Sequence, residues 1–400
     1  MKSIYELGSR IYQTVFKWAI PILPYREPVK LKSSLELVDV LRREGIDSII
    51  VVTDAGLVKA GIVEKFVQPL KDNIGKVVIY DKTVANPTIA NIMEAREMYE
   101  ENDCQAIIGL GGGSAIDCAK GLGASIARPN KDIRKMKGIL KVMKKLPLLV
   151  AVPTTAGTGS ETTLAAVITD EKTHFKYPIN DFVLIPQYAI LDPNLTVSLP
   201  PHITSTTGMD ALTHAVEAYI GRSATKKTKK RALEATELIY ANIYEAYSHG
   251  DNLQARTNML QAAYLAGLAF TVSYVGYVHA IAHSLGGKYG VPHGLANAII
   301  LPYLLKGYGT AVYPKLKELA IAAHVAKESD SEESAAKKFI ASIEELNAKM
   351  NIPTKIKGIK EEDISDLAIK AAKEANPLYP VPVYMNAKEL EYYYYEVMEK

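Results

Sequence analysis

Apolar and polar positions follow two different rhythms along this chain. Through the first half, short runs rich in β-branched residues alternate with stretches of helical spacing. Ser48-Ile49-Ile50-Val51-Val52-Thr53, Gly75-Lys76-Val77-Val78-Ile79-Tyr80, Gln105-Ala106-Ile107-Ile108-Gly109-Leu110 and Pro147-Leu148-Leu149-Val150-Ala151-Val152 are apolar runs that predict buried strands. Ile89 to Glu100, between them, has the spacing of a helix. Strands separated by helices predict a mostly parallel sheet covered by helices. Further extended pieces are expected around Ala166-Val167-Ile168-Thr169 and Phe182-Val183-Leu184-Ile185.

Beyond about Pro201 the rhythm becomes helical. Ala-, Leu-, Glu- and Lys-rich stretches recur at Lys230 to Tyr247, Arg256 to Ala269, Tyr313 to Lys327 and Ser331 to Met350, and continuous strands nearly vanish. The expected class is α/β plus all-α, with an α/β domain over residues 1–195, an all-helical domain over residues 196–400, and a hinge region at Pro200 and Pro201. The run Tyr392 to Tyr395, between Glu391 and Glu396, reads as a terminal helix packed on the body.

Bulk properties narrow the function by exclusion. The chain is 48% hydrophobic and 23% charged with a formal net charge of +3, which is the balance of a globular protein without a concentrated basic face. No nucleic-acid partner is expected, and the basic cluster Lys226 to Arg231 reads as the solvated start of a helix. Two cysteines, Cys104 and Cys118, both in apolar segments, suit a reduced, cytoplasmic compartment. The N-terminus lacks the pattern of a secretory signal. Trp18 to Pro24 is apolar but short and broken by prolines, and no stretch approaches a bilayer span of about 20 residues, so no membrane partner is expected.

Three of the eight histidines fall with an aspartate into an unusual arrangement. Gly208 to Ala218 reads as a helix following a loop at Pro201 to Thr207, and Asp210 and His214 stand at i and i+4, one turn apart on one face. His279 and His283 repeat that spacing, and His293 follows between Pro292 and Gly294, in a constrained turn before a helix at Leu295 to Leu305. Asp210, His214, His279 and His293 would give a mixed N/O site for a borderline divalent ion, and the ligand types accommodate Fe²⁺ or Zn²⁺ equally. A lone histidine is usually a satisfied core or surface residue. Asp and His placed repeatedly in Ala/Gly-rich helical segments are harder to explain that way, because a buried ionisable group needs a partner.

Ile107 to Lys120 reads as a strand, a glycine turn and a helix, with Gly111, Gly112 and Gly113 in the turn and Ser114 available as a cap. Such a turn lets backbone amides approach a pyrophosphate, although the spacing is not GxGxxG and a tight structural turn explains it too. A second polar loop, Val152 to Glu161, offers Thr154, Thr155, Thr158 and Ser160 after another apolar strand. Two such loops on neighbouring parallel strands would face one crevice. Asp54, after the strand Ser48 to Thr53, is either a ribose acceptor that repels the extra phosphate of NADP or the N-cap of the next helix.

At this point the chain resembles the iron-dependent alcohol dehydrogenase family, which shares a folding plan with glycerol dehydrogenase and dehydroquinate synthase. The resemblance runs from about Tyr25 to Glu396. It is carried by Gly111-Gly112-Gly113-Ser114-Ala115-Ile116-Asp117, Pro153 to Glu161, Asp210-Ala211-Leu212-Thr213-His214-Ala215-Val216-Glu217 and His279 through Gly294, with Asn376-Pro377-Leu378-Tyr379-Pro380 near the end. It implies an N-terminal nucleotide-binding domain, a C-terminal helical metal-binding domain and catalysis in the cleft between them. The family's metal ligands fall on Asp210, His214, His279 and His293. Its further active-site histidine falls on His283, as a proton relay or an orienting group. Its nucleotide contacts fall on Asp54, Asn86, Gly112, Gly113, Ser114, Asp117, Thr154, Thr155, Thr158 and Lys176.

The resemblance further implies Fe²⁺ as the ion with Zn²⁺ as competitor, and at least a homodimer. The residues before Tyr25 receive no assignment from it. The expected reaction is reversible oxidation of a small primary alcohol to its aldehyde, with NAD preferred over NADP because of Asp54. The competing expectations are a polyol dehydrogenase, a dehydroquinate synthase-like enzyme and a non-catalytic nucleotide- or metal-binding protein. The second of these would require convergent Lys or Arg residues that are not found beside the histidines.

Overall fold

The computed structural model of the protein describes residues 2–173 and 175–399. The chain opens with α1 (Lys2–Ala19) and divides into two compact units, Pro24–Leu199 and Met1–Leu23 together with Pro200–Lys400. The boundary thus falls at 199/200 rather than 195/196. The N-terminal segment groups with the helical unit rather than with the α/β unit that follows it in sequence. Side chains of α1 explain the grouping, since Arg10 donates to the carbonyl of Val381 (2.7 Å) and Gln13 to that of Tyr379 (2.8 Å).

The α/β unit runs β1 (Val29–Leu31), α2 (Ser34–Arg43), β2 (Ser48–Val52), α3 (Ala55–Lys59), α4 (Ile62–Lys71), β3 (Lys76–Tyr80), α5 (Ile89–Glu101), β4 (Ala106–Gly111) and α6 (Gly113–Ala127). It continues with β5 (Gly138–Ile139), β6 (Leu148–Pro153), β7 (Ala165–Asp170), β8 (Phe175–Asn180) and β9 (Tyr188–Ile190). Six strands form an all-parallel sheet in the order β1-β9-β6-β4-β2-β3. A second sheet has the order β5-β8-β7, with β7 and β8 antiparallel. Both faces of the main sheet are covered, which is why its strands read as unbroken apolar runs. Ile50, Val52 and Ile107 pack into a core with α5 and α6, while Ile49, Val51 and Ile108 pack into another with α2 and α4.

The helical unit adds α7 (Pro201–Ile220), α8 (Lys226–Ser248), α9 (Leu253–Ser273), α10 (Tyr277–Tyr289), α11 (His293–Tyr308), α12 (Tyr313–Ala322), α13 (Glu332–Lys349), α14 (Ile364–Ala375) and α15 (Ala387–Val397). Three local expectations are corrected. Residues 201–207 are the first turns of α7 and not a loop, because Pro201 sits at the first helical position, where its fixed φ favours helix entry. Phe182–Leu184 is a 3₁₀ turn and not a strand, capped by the Asp181 side chain accepting from the Val183 amide. His293 opens α11 instead of preceding it. Among the described residues no single helix is long and apolar enough to cross a membrane.

Candidate metal centre and nucleotide site

α7 is buried nearly all round from Gly208 to Ile220, so Asp210 and His214 are carried into the interior of the helical unit. α10 brings in His279, which is 2% exposed, and the first residue of α11 brings in His293. Gly294 permits that approach. A Cβ there would lie 2.4 Å from the Thr206 carbonyl oxygen, so only glycine lets α11 start so close to α7. One ligand atom from each of Asp210, His214, His279 and His293 lies within 4.8 Å of all the others. Four ligands on one tetrahedral ion, at bond lengths of about 2.0–2.2 Å, stand roughly 3.3–3.6 Å apart, so the widest pair draws in by about an ångström to close the site.

Protons are disposed to suit an ion. Glu217, one turn beyond His214 on α7, accepts from the amides of Gly276 (2.8 Å) and Val278 (2.9 Å) and from Nδ1 of His279 (2.6 Å). With its proton fixed on Nδ1, the His279 imidazole turns Nε2 inward as a lone pair, 3.9 Å from Asp210 Oδ1. That buried Nε2 has no hydrogen-bond partner among the described residues. Burial, followed by the neighbouring His214, His293 and His283, holds His279 well below its usual pKa, in the neutral form that ligates. Burial also pushes the Glu217 carboxyl up to about 7, against backbone hydrogen bonds from Gly276, Val278 and His279 that pull it down. Asn297 donates to Asp210 Oδ1 at 2.6 Å, and the Phe270 ring stacks on His214 at 4.1 Å, so the aspartate and the first imidazole are both held. The donor set and the partnerless Nε2 fit a divalent ion.

His283 does not join the four. It lies one turn along α10 from His279, half-buried, with its ring centroid 5.1 Å from that of His293 and 6.1 Å from that of His279. Its Nδ1 pairs with Glu374 Oε1 at 2.7 Å, and the Tyr379 hydroxyl donates to the same oxygen at 2.8 Å. Burial raises the Glu374 pKa, but the His283 charge and these two hydrogen bonds outweigh it and hold the carboxyl below its usual range.

In the α/β unit, Asp54, Gly112, Gly113, Ser114, Thr154, Thr155 and Thr158 gather at the C-terminal ends of three adjacent strands, β6, β4 and β2, whereas Asp117 lies within α6, Asn86 follows β3 and Lys176 lies on β8. Gly111 closes β4 at φ 150°, and a Cβ on it would meet Ala115 Cβ at 2.7 Å, so the turn requires glycine. Gly112 is the N-cap of α6 and offers no side-chain cap, which leaves the first amides of a 15-residue helix to an anion. Ser114 therefore does not cap the helix as expected; its hydroxyl accepts from the Asn86 amide at 3.2 Å. Thr155 and Thr158 line the glycine turn, within 3.6 Å of the position of a Cβ on Gly112 and 3.1 Å of one on Gly113, and the buried Thr154 donates its amide to the Gly111 carbonyl. Asp54 N-caps α3 through the Leu57 amide (3.0 Å), yet its other oxygen is 3.7 Å from a Cβ position on Gly111, so it also borders the cradle.

Asn86 and Lys176 pair at 2.7 Å at the exposed margin. Asp117 is fully engaged, accepting from the Ser160 hydroxyl (2.7 Å) and the Val167 amide (3.0 Å), and it braces the second loop. The sequence reading missed its partner in that task. Lys120, completely buried, donates to the carbonyls of Ser160 (2.7 Å), Thr163 (2.9 Å) and Ala165 (2.8 Å), and burial lowers its pKa to about 8. Glu217 and Asn297 were also missed, although helical spacing marks both, at i+3 from His214 and i+4 from His293. Glu374 gives no such signal, being 91 residues from His283.

The iron-containing alcohol dehydrogenase profile matches residues 30–193, and the C-terminal profile of the Fe-containing alcohol dehydrogenase family matches residues 204–397. The chain belongs to the iron-containing alcohol dehydrogenase family. Two relatives illustrate its range. The 1,3-propanediol dehydrogenase of Citrobacter freundii is 40% identical over 347 residues, covering 85% of this chain and 89% of that one. The NAD-dependent methanol dehydrogenase of Bacillus methanolicus is 35% identical over 336 residues, covering 84% and 88%. The crystal structure of a 1,3-propanediol oxidoreductase superposes with a TM-score of 0.89 at 36% identity, over 94% of this chain and 99% of that one. As a member of this family the protein is a metal-dependent, nicotinamide-linked oxidoreductase that interconverts alcohols and aldehydes.

Proposed function

We propose that the protein reversibly oxidises small primary alcohols to aldehydes with NAD, using one Fe²⁺ held by Asp210, His214, His279 and His293. The observation that carries this reading is the convergence of those four ligand atoms around a buried imidazole nitrogen without a partner. When bound, the ion supplies a Lewis acid for the substrate oxygen and the nicotinamide supplies the hydride carrier. The rest falls to the chain. Glu217 fixes the tautomer and orientation of His279, Asn297 holds Asp210, and Phe270 restricts His214. Glu374 holds Nδ1 of His283, leaving Nε2 to exchange a proton with the substrate hydroxyl or to orient it. The cradle of Gly112, Gly113, Thr155 and Thr158 at the start of α6 receives the pyrophosphate, with Asn86, Ser114 and Lys176 at its margin.

Asp54 favours NAD, because a carboxylate bordering the cradle repels a 2′-phosphate. Asp54→Ser keeps a cap for α3 and removes the charge. It should raise kcat/KM for NADP relative to NAD by about tenfold or more, and an unchanged ratio would remove the proposed role. The buried free thiols Cys104 and Cys118 support a cytoplasmic location. A homodimer or larger assembly is part of the same reading, and sedimentation at two concentrations tests it. The reaction itself is tested with anaerobically prepared Fe²⁺ protein, NADH and a panel of short aldehydes. Rapid NADH oxidation is expected, and no turnover at full metal and cofactor occupancy would refute the reading.

A further inference from the structure

The helix α1 is amphipathic, and it is turned the opposite way from a helix that covers a core. Its inward side is mostly polar, with the half-buried Phe16, packed edge-on against Tyr274, as the apolar exception. Ser9 and Gln13 are 5% and 4% exposed, Gln13 donates to the Tyr379 carbonyl, and Arg10 reaches the carbonyls of Val381 and Pro382. Those bonds fix the rotation of the helix on its unit. The apolar side consequently faces outward, with Ile4, Tyr5, Leu7, Ile11, Val15 and Trp18 all more than half exposed and Tyr12 at 41%. Ile22, just beyond the helix, is 85% exposed. At 3.6 residues per turn these positions cover an arc of roughly 160°. Exposed apolar patches of this size on a soluble chain mark an interaction surface. Neither family profile includes the segment, since the first begins at residue 30.

We propose that α1 is an interfacial anchor, whose outward face lies in the headgroup region of an anionic lipid bilayer. Three features choose a lipid surface over a second copy of the chain. The arc is wider than the narrow a/d seam of a helix pair, so pairing two copies along one seam would leave the row of Tyr5 and Tyr12 wet. An 18-residue helix is about 27 Å long, so a seam about 10 Å wide covers on the order of 300 Å², short of the roughly 800 Å² per partner that a stable protein interface buries. Finally, Arg10 and Glu6 pair with each other at 3.8 Å, which leaves Lys2 and Lys17 to give α1 a net positive charge. A basic helix with tyrosines and a tryptophan on its apolar side suits an anionic interface. The expectation of no membrane partner rested on the lack of a spanning segment, and an interfacial helix needs none.

Trp18 is the chain's single tryptophan and is 76% exposed, so it reports directly on the helix. The full-length holoenzyme is mixed with vesicles of phosphatidylcholine alone, or of phosphatidylcholine and phosphatidylglycerol in equal parts, then sedimented while Trp18 emission is recorded. The expected result is co-sedimentation and a blue shift with the anionic vesicles, with at least tenfold weaker binding to the neutral ones. The double variant I11E/V15E, altered at solvent-facing positions only, should lose binding by tenfold or more at unchanged kcat. Equal binding to both vesicles would overturn the charge argument and with it the proposal. A blue shift that grows with protein concentration in the absence of lipid, abolished in I11E/V15E, would overturn it in favour of a second copy. No co-sedimentation and no shift would overturn it outright.

Discussion

Replacing Glu217 with glutamine removes an ionisable carboxyl and changes almost no volume, yet it should weaken the metal site from a residue that is not one of the proposed ligands. The wild-type carboxylate accepts three hydrogen bonds, from Gly276, Val278 and His279 Nδ1. A glutamine offers a single oxygen, and its amide nitrogen must then face at least one of those donors. Hydrogen bonds to a charged group contribute about 1.5–3 kcal/mol each, and leaving one buried donor unpaired costs about 1–3 kcal/mol. Part of that loss falls on the α7–α10 packing and part on His279, whose Nδ1 proton is no longer compelled. Outer partners of a metal-bound histidine are worth about 10–100-fold in affinity. Chelator competition on the anaerobic protein should therefore show Fe²⁺ affinity in Glu217→Gln reduced by about that factor, together with a lower Tm of the metal-free form. A variant with reduced Tm but wild-type metal affinity would refute the reasoning, because Glu217 would then only tie α10 to α7.

Three other perturbations separate the parts of the molecule. His214→Ala should lose bound metal and activity together, whereas His283→Ala should keep its metal and lose about 10²–10⁴-fold in kcat if the imidazole moves a proton; equal metal loss in both would make His283 a ligand or its direct support. Lys120→Met leaves the carbonyls of Ser160, Thr163 and Ala165 and the neighbouring Asp117 without their cation, so it should destabilise the α/β unit by about 3–5 kcal/mol and weaken NADH binding, as read by urea denaturation and fluorescence titration, while metal content stays unchanged. Arg134, hydrogen-bonded to Asp170 at 2.9 Å, holds that carboxyl below its usual 3.8, so the stability it lends is present above about pH 3.8 and is lost as the pH falls through the lower folded value. Arg134→Leu should lower the urea midpoint at pH 7 and reduce its fall between pH 5 and the acid limit, and an unchanged acid profile would contradict the assignment.

What could be read from the sequence follows from the range of the interactions involved. The parallel sheet was legible because burial on both faces turns β2, β4 and β6 into unbroken apolar runs. Asp210, His214 and His279 were legible because helical spacing puts ionisable groups in segments that otherwise pack as core. Contacts between elements distant in the chain left no such trace. The pairing of His283 with Glu374 spans 91 residues and that of Gln13 with Tyr379 spans 366, and no periodicity encodes either. Local propensity misled at residues 201–207 and 182–185, where Thr- and Ser-rich text looked like loop and β-branched text looked like strand. In both places the entry residue decided the outcome, through the fixed φ of Pro201 and the cap from Asp181.

Everything proposed for the reaction depends on one ion bound by four residues, and anaerobic metal analysis of the purified chain alongside aldehyde reduction with NADH reads that dependence directly. The active protein should hold one Fe²⁺ per chain, lose activity in proportion as iron is removed, and recover it on adding back one equivalent. His279→Ala should hold neither metal nor activity. Full activity in protein stripped of iron, or an iron content unaffected by His279→Ala, would contradict it.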